Sequence, residues 1–130
     1  MIRHISMFQM EPQPANGKTV AENTQALVDF LNELPAQEPS IVGNRVASYV
    51  GRQPELPEEA PVMFHQVVQM IDFAKPEDAA AYPESQAHKS LMAFTQGMVK
   101  KVSTSPWSLN SSGFLVAVCS VIPAVCPMVP

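Results

Sequence analysis

Two segments of this chain carry apolar side chains at both sets of alternating positions, and that limits what it can fold into. In Ile2–Met10 one set is Ile2, His4, Ser6, Phe8 and Met10; the other is Arg3, Ile5, Met7 and Gln9. Val62–Phe73 is similarly rich in Val, Phe, Ile and Met. Successive side chains of a strand point to opposite faces. Strands of this kind therefore predict a sheet covered on both sides.

The intervening segments supply helices for one of those sides. Glu11–Gly17 reads as a loop, with Pro12, Pro14 and Asn16-Gly17. Thr19 and Glu22 form a capping-box pattern, and Val20, Leu27, Phe30, Leu31 and Leu34 recur at helical spacing behind it. Pro35 is expected to end that helix. Ser40–Val50 reads as the second strand, with Gly43 at a bulge. Gly51–Pro61 is a polar loop bounded by prolines.

After the strand Val62–Phe73, Lys75-Pro76-Glu77-Asp78 opens a helix, with proline early and acids at the N-terminal dipole. Tyr82-Pro83 interrupts it. Ser85 caps a further segment in which Leu91, Phe94, Thr95 and Met98 keep helical spacing. Met98–Thr104 reads as the fourth strand, with Pro106 close behind. The order is β-α-β-β-α-β, that of a ferredoxin-like α+β sandwich. Helices on one side leave the other sheet face open, and a C2 homodimer is the simplest cover for it.

Composition narrows the function classes. The chain has 130 residues, enough to bury a core without disulfides or a metal. The net charge is −4, which gives no basic footprint for nucleic acid. The start Met-Ile-Arg-His-Ile alternates and lacks the pattern of a secretory signal, so a cytoplasmic domain is expected. Every charged residue lies within the first 101 positions. Phe114–Pro130 is almost wholly apolar, but it is too short and too proline-rich for a membrane helix. It reads as a strand or arm packed on the domain or on a partner.

Single residues point to chemistry less firmly. His4 shares a strand face with Ser6 and Phe8, where an imidazole can give or take a proton near neutral pH. His65, on the third strand beside Val67, reads as a core or loop-proximal histidine. Glu55, Glu58 and Glu59 read as solvated loop charge, and Glu77 and Asp78 as dipole complement; no metal site is expected. Met63, Met70, Met92 and Met98 read as core filling. Trp107 is expected against the sheet edge or a partner, and Cys119 and Cys126 as buried thiols. No P-loop, GxGxxG or GxSxG is present, so nucleotide use and serine hydrolysis have no support, and no cofactor is expected.

Two marks give the chain a family likeness. The start Met-Ile-Arg-His-Ile-Ser-Met-Phe and the segment Phe73-x-x-Pro76-Glu77-Asp78-x-x-x-Tyr82, with His88 six residues on, resemble the stress-responsive A/B-barrel (dimeric α+β barrel) domains. The resemblance covers about residues 1–101. It implies a domain over 1–104, a dimer whose sheets close face to face into a barrel, and an apolar tail over 105–130. It also implies a cavity between sheet and helices, able to shield a small hydrophobic ligand. In polyketide cyclases of this family, a first-strand His acts with a Tyr and a later His; the matching residues here are His4, Tyr82 and His88. The sequence departs from the family between Tyr82 and His88, where the usual His-Pro is absent, and after Lys100, where the last strand is not of the V-V-D-Y type. The expectation is a small dimeric A/B-barrel protein without established catalysis. The alternative is a cofactor-free lyase, isomerase or cyclase acting on a hydrophobic carbonyl compound, with His88 as base and His4 and Tyr82 polarising the carbonyl. What separates the two is whether those side chains converge on one accessible pocket.

Overall fold

The computed structural model describes residues 1–49, 65–109 and 115–117. Its elements are β1 (Ile2–Met10), α1 (Val20–Gln37), β2 (Ile41–Ser48), β3 (Val67–Phe73), α2 (Pro76–Ala81), a 3₁₀ turn at Tyr82–Glu84, α3 (Gln86–Thr95), β4 (Val99–Leu109) and β5 (Leu115–Ala117). The strands form one antiparallel sheet in the order β2-β3-β1-β4-β5. With helices packed on one face, this is a ferredoxin-like α+β fold. Among the described residues no helix is long and apolar enough to cross a membrane.

The helices start where the sequence supplies caps. Thr19 Oγ1 accepts from the Glu22 amide at 3.1 Å, while Glu22 Oε1 accepts from the Thr19 amide at 3.4 Å. This reciprocal pair satisfies donors that a helix start otherwise leaves orphaned. Leu27, Leu31 and Leu34 of α1 are wholly buried against the sheet. Each contributes on the order of 1.5–3 kcal/mol relative to an exposed position. Facing them are Phe8 and Met10 of β1 and Val67, Ile71 and Phe73 of β3. Phe30 and Phe94 stack at 4.4 Å between ring centroids and tie α1 to α3.

Alternation is respected along β1. Ile2, Phe8 and Met10 are buried under the helices, whereas Arg3, Ile5, Met7 and Gln9 lie on the opposite face, where Met7 is 38% exposed. On that open face Arg3 pairs across the strands with Asp72 through two hydrogen bonds, of 2.7 and 3.0 Å. The register of β2 on β3 shifts between Ile41 and Gly43, so the expected bulge is present. A Cβ at Gly43 would stand 2.8 Å from Asp72 Oδ2, which makes glycine the residue that leaves room for this ion pair.

Three of the boundaries that differ from the sequence reading involve proline or glycine. Pro35 lies inside α1 and does not end it. Proline removes the amide that would bond the carbonyl four residues earlier, here that of Leu31. The side chain of Asn44 on β2 supplies the missing donor: its Nδ2 lies 3.0 Å from the Leu31 carbonyl oxygen. A tertiary hydrogen bond thus replaces a helical one. Second, the fourth strand begins at Val99 and not Met98, because Gly97 turns the chain at φ 79° and Met98 belongs to that turn. Third, β4 continues through Pro106 to Leu109. At Pro106 it pairs with His4 of β1, and among the described residues β5 joins it at Trp107–Leu109.

β3 begins at Val67, with His65 and Gln66 leading into it. The loop 51–61 with its acids Glu55, Glu58 and Glu59, the residues Val50 and Met63, and residues 110–114 and 118–130, including Cys119 and Cys126, lie outside the described residues.

Candidate functional site

A cavity of about 140 Å³ lies between the helix-facing side of the sheet and the α2–α3 region. Its floor follows from register. On β1, His4, Ser6 and Phe8 stand in line. Ile71 of β3 is opposite His4, and Gln69 is opposite Ser6. On the other side, Thr104 of β4 is opposite Ser6, and Val102 is opposite Phe8. Tyr82 and Pro83 of the 3₁₀ turn and His88, Leu91 and Met92 of α3 close the cavity from above. Met92, Val102 and Thr104 are exposed, so among the described residues the cavity reaches solvent beside β4.

His4, Tyr82 and His88 all line this one cavity. The ring of Tyr82 sits between the two imidazoles. Its centroid is 6.1 Å from that of His4 and 5.2 Å from that of His88, both at near-perpendicular angles. Local structure places each of them. His4 is fixed by pairing on both sides of β1 and packs edge-on to Phe73 at 5.4 Å. Pro83 holds the 3₁₀ turn that carries Tyr82. Ser85 caps α3 by accepting from the His88 amide at 3.2 Å, and this sets His88 in the first turn.

Burial sets the protonation states. His4 is held below the ordinary imidazole value, first by burial and then by the nearby His88. His88 is also lowered by burial, against the opposing pull of a hydrogen bond to the Pro83 carbonyl and of Glu84. Both imidazoles are therefore neutral at pH 7. A neutral imidazole carries one N–H and one basic ring nitrogen. The Tyr82 phenol is pushed up to about 12, mainly by burial and then by Glu38. It stays a donor across the working pH range. The Tyr82 side chain is 6% exposed and its hydroxyl is buried without a hydrogen-bond partner. A buried hydroxyl of this kind costs about 1–3 kcal/mol unless something accepts from it. The set holds two neutral imidazoles and one neutral phenol around a mainly apolar space. It can accept a proton from carbon or oxygen and donate to a developing oxyanion.

The structure also brings in residues the sequence reading did not single out. Gln69 is 1% exposed yet lies among Val67, Ile71 and Phe73 on the buried face of β3. A polar residue at that alternation was the available signal. Its Nε2 donates to Asn44 Oδ1 at 3.0 Å. Ser6 and Thr104 join hydroxyl to hydroxyl at 3.1 Å. Ser6 was legible as a neighbour of His4, but Thr104 entered only through strand pairing.

Other candidates fall elsewhere. His65 is half-buried ahead of β3, away from the cavity lining, with Nε2 unpartnered. Glu77 and Asp78 occupy the first turn of α2. Met98 is core, whereas Met92 lies at the cavity mouth. A second cavity of about 270 Å³, lined by Glu38, Ser40, Asp78, Glu84 and Ser85, also reaches Tyr82. Among the described residues no group of three or more His, Cys, Asp or Glu is placed to hold a metal ion.

No family model and no curated protein matches the chain. Solved structures do. A dimeric protein of unknown function and ferredoxin-like fold from Bacteroides fragilis is similar with a TM-score of 0.62 at 13% identity, covering 82% of this chain and 94% of the other. A dimeric ferredoxin-like protein of unknown function from Thermobifida fusca gives 0.60 at 18% identity, covering 83% and 90%. A hydroxynitrile lyase from Passiflora edulis gives 0.60 at 11% identity, covering 94% and 96%. The chain thus shares its fold with dimeric ferredoxin-like proteins of unknown function and with a hydroxynitrile lyase.

Proposed function

We propose that this chain is a homodimeric A/B-barrel protein that binds a compact, mainly apolar carbonyl compound and acts on it by acid–base chemistry as a lyase, isomerase or cyclase. The observation that carries the reading is the convergence of His4, Tyr82 and His88 on one solvent-reaching cavity. The free nitrogen of His88 removes a proton from the ligand. The Tyr82 phenol, and the N–H of His4, donate to the oxygen on which charge develops. Such chemistry asks for no cofactor. The buried Tyr82 hydroxyl gains its missing acceptor when the ligand oxygen arrives.

Dimerisation is supported by the open sheet face, which carries Ile5, Met7, Val68 and Met70, and by relatives described as dimeric. Binding without turnover is the second reading. It is favoured by the segment Pro83-Glu84-Ser85-Gln86-Ala87, which lacks the His-Pro expected of the family.

Proton abstraction can be measured directly. Acetophenone in D₂O exchanges its methyl hydrogens through the enolate, and NMR follows the loss of the methyl signal. The wild-type chain is expected to accelerate exchange over buffer, and His88→Gln to remove on the order of 10²-fold or more of that acceleration. Saturable binding with exchange no faster than in buffer leaves the chain a binding protein. Absence of binding refutes the cavity reading altogether.

A further inference from the structure

The floor of the cavity is not uniformly apolar, and its polar part follows a row. Across the three strands the pairs read Ile71–His4, then Gln69–Ser6–Thr104, then Phe8–Val102. The middle row is polar at all three positions and the third is apolar at both lining residues. Two residues along a strand advance about 7 Å. The middle row therefore stands about 7 Å from His4, over which Tyr82 and His88 converge.

Its chemistry is that of a built acceptor and donor. Ser6 Oγ and Thr104 Oγ1 lie 3.1 Å apart. One hydroxyl donates to the other, so the accepting hydroxyl keeps a proton to give, and both keep lone pairs. The Gln69 amide nitrogen is committed to Asn44 at 3.0 Å, which fixes that side chain and leaves its carbonyl oxygen as an acceptor. Gln69 also serves Asn44, whereas the Ser6–Thr104 pair, with Thr104 exposed at the cavity mouth, is the part of the row that a ligand reaches from solvent.

Building on the carbonyl-binding reading above, we propose that Ser6, Thr104 and Gln69 form a second anchor, which selects a one-ring carbonyl compound bearing a hydroxyl or keto oxygen at the far side of the ring. Size agrees. A cavity of about 140 Å³ takes a single six-membered ring with small substituents; a dry engineered cavity of about 150 Å³ holds one benzene. Para-disposed oxygens span the distance between the two polar ends. An ortho oxygen returns to the first end and leaves the second anchor unmet.

The test compares three neutral probes by NMR titration of the full chain: acetophenone, 4-hydroxyacetophenone and 2-hydroxyacetophenone. The para isomer is expected to bind about ten-fold more tightly than acetophenone, and the ortho isomer no more tightly. In the double variant S6A/T104V the ratio of para-isomer affinity to acetophenone affinity is expected to fall to near unity. Thr104→Ser, which keeps the hydroxyl, should retain the preference, and unchanged amide spectra certify that these variants are folded. Equal affinities for acetophenone and 4-hydroxyacetophenone in the wild type overturn the anchor while leaving the carbonyl site intact. So does a preference that survives in S6A/T104V. Failure of all three probes to bind overturns both.

Discussion

Replacing Asn44 by alanine tests whether a side chain from β2 stands in for the amide that Pro35 lacks. Asn44 Nδ2 donates to the Leu31 carbonyl at 3.0 Å, and Asn44 Oδ1 accepts from Gln69 Nε2 at 3.0 Å. Alanine removes both bonds. The Leu31 carbonyl then faces Pro35, which has no N–H to offer, in a residue that is wholly buried. The Gln69 amide, also buried, loses the acceptor for one of its protons. Each stranded group costs about 1–3 kcal/mol, so the variant should lose about 3 kcal/mol. For a domain of this size that is a large share of the total. Urea unfolding with linear extrapolation measures it, with an unchanged slope as the sign that only stability moved. The decisive comparison is the same substitution in a Pro35→Ala background. There residue 35 regains an amide for the Leu31 carbonyl, and Asn44→Ala should cost about 1 kcal/mol less. A loss below about 0.5 kcal/mol, or an identical loss in both backgrounds, would refute the substitution of a tertiary bond for a helical one.

Tyr82→Phe removes a buried hydroxyl that has no partner; the unliganded protein should gain about 1 kcal/mol in urea unfolding while acetophenone exchange falls at least ten-fold. Opposite signs in stability and activity mark a group kept for its ligand. The pH dependence follows from His4 and His88, both lowered in the folded state. Unfolded chains bind the extra protons first, so stability is complete above the ordinary imidazole value of about 6.5 and declines as pH falls towards the lower folded values. The urea midpoint should therefore drop between pH 7 and pH 5, and the double variant H4Q/H88Q should flatten that drop.

Much of the fold was legible because it rests on local chemistry. Thr19 with Glu22, and Ser85 ahead of His88, mark helix starts through side chains that bond amides a few residues away. Alternation in β1 placed His4 and Ser6 on one face, and Tyr82-Pro83 marked the helix break that became a 3₁₀ turn. Pro35 misled, because it was read as a stop from what proline removes locally. In the folded chain Asn44, on β2, restores the lost bond. That compensation comes from another element of the fold.

The same division runs through the site. The sequence by itself determined which residues could do acid–base work, because His and Tyr carry that chemistry wherever they stand, and it determined that the sheet needs covering on both faces. Only the tertiary structure decided that His4 meets Tyr82 and His88, 78 and 84 positions further along the chain, at one cavity. It also decided that Thr104 joins Ser6, and that burial holds both imidazoles neutral and the phenol protonated. The physical reason is that strand pairing and desolvation are properties of neighbours in space. The register of β4 and β3 on β1, and the packing of α3 above them, supply those neighbours.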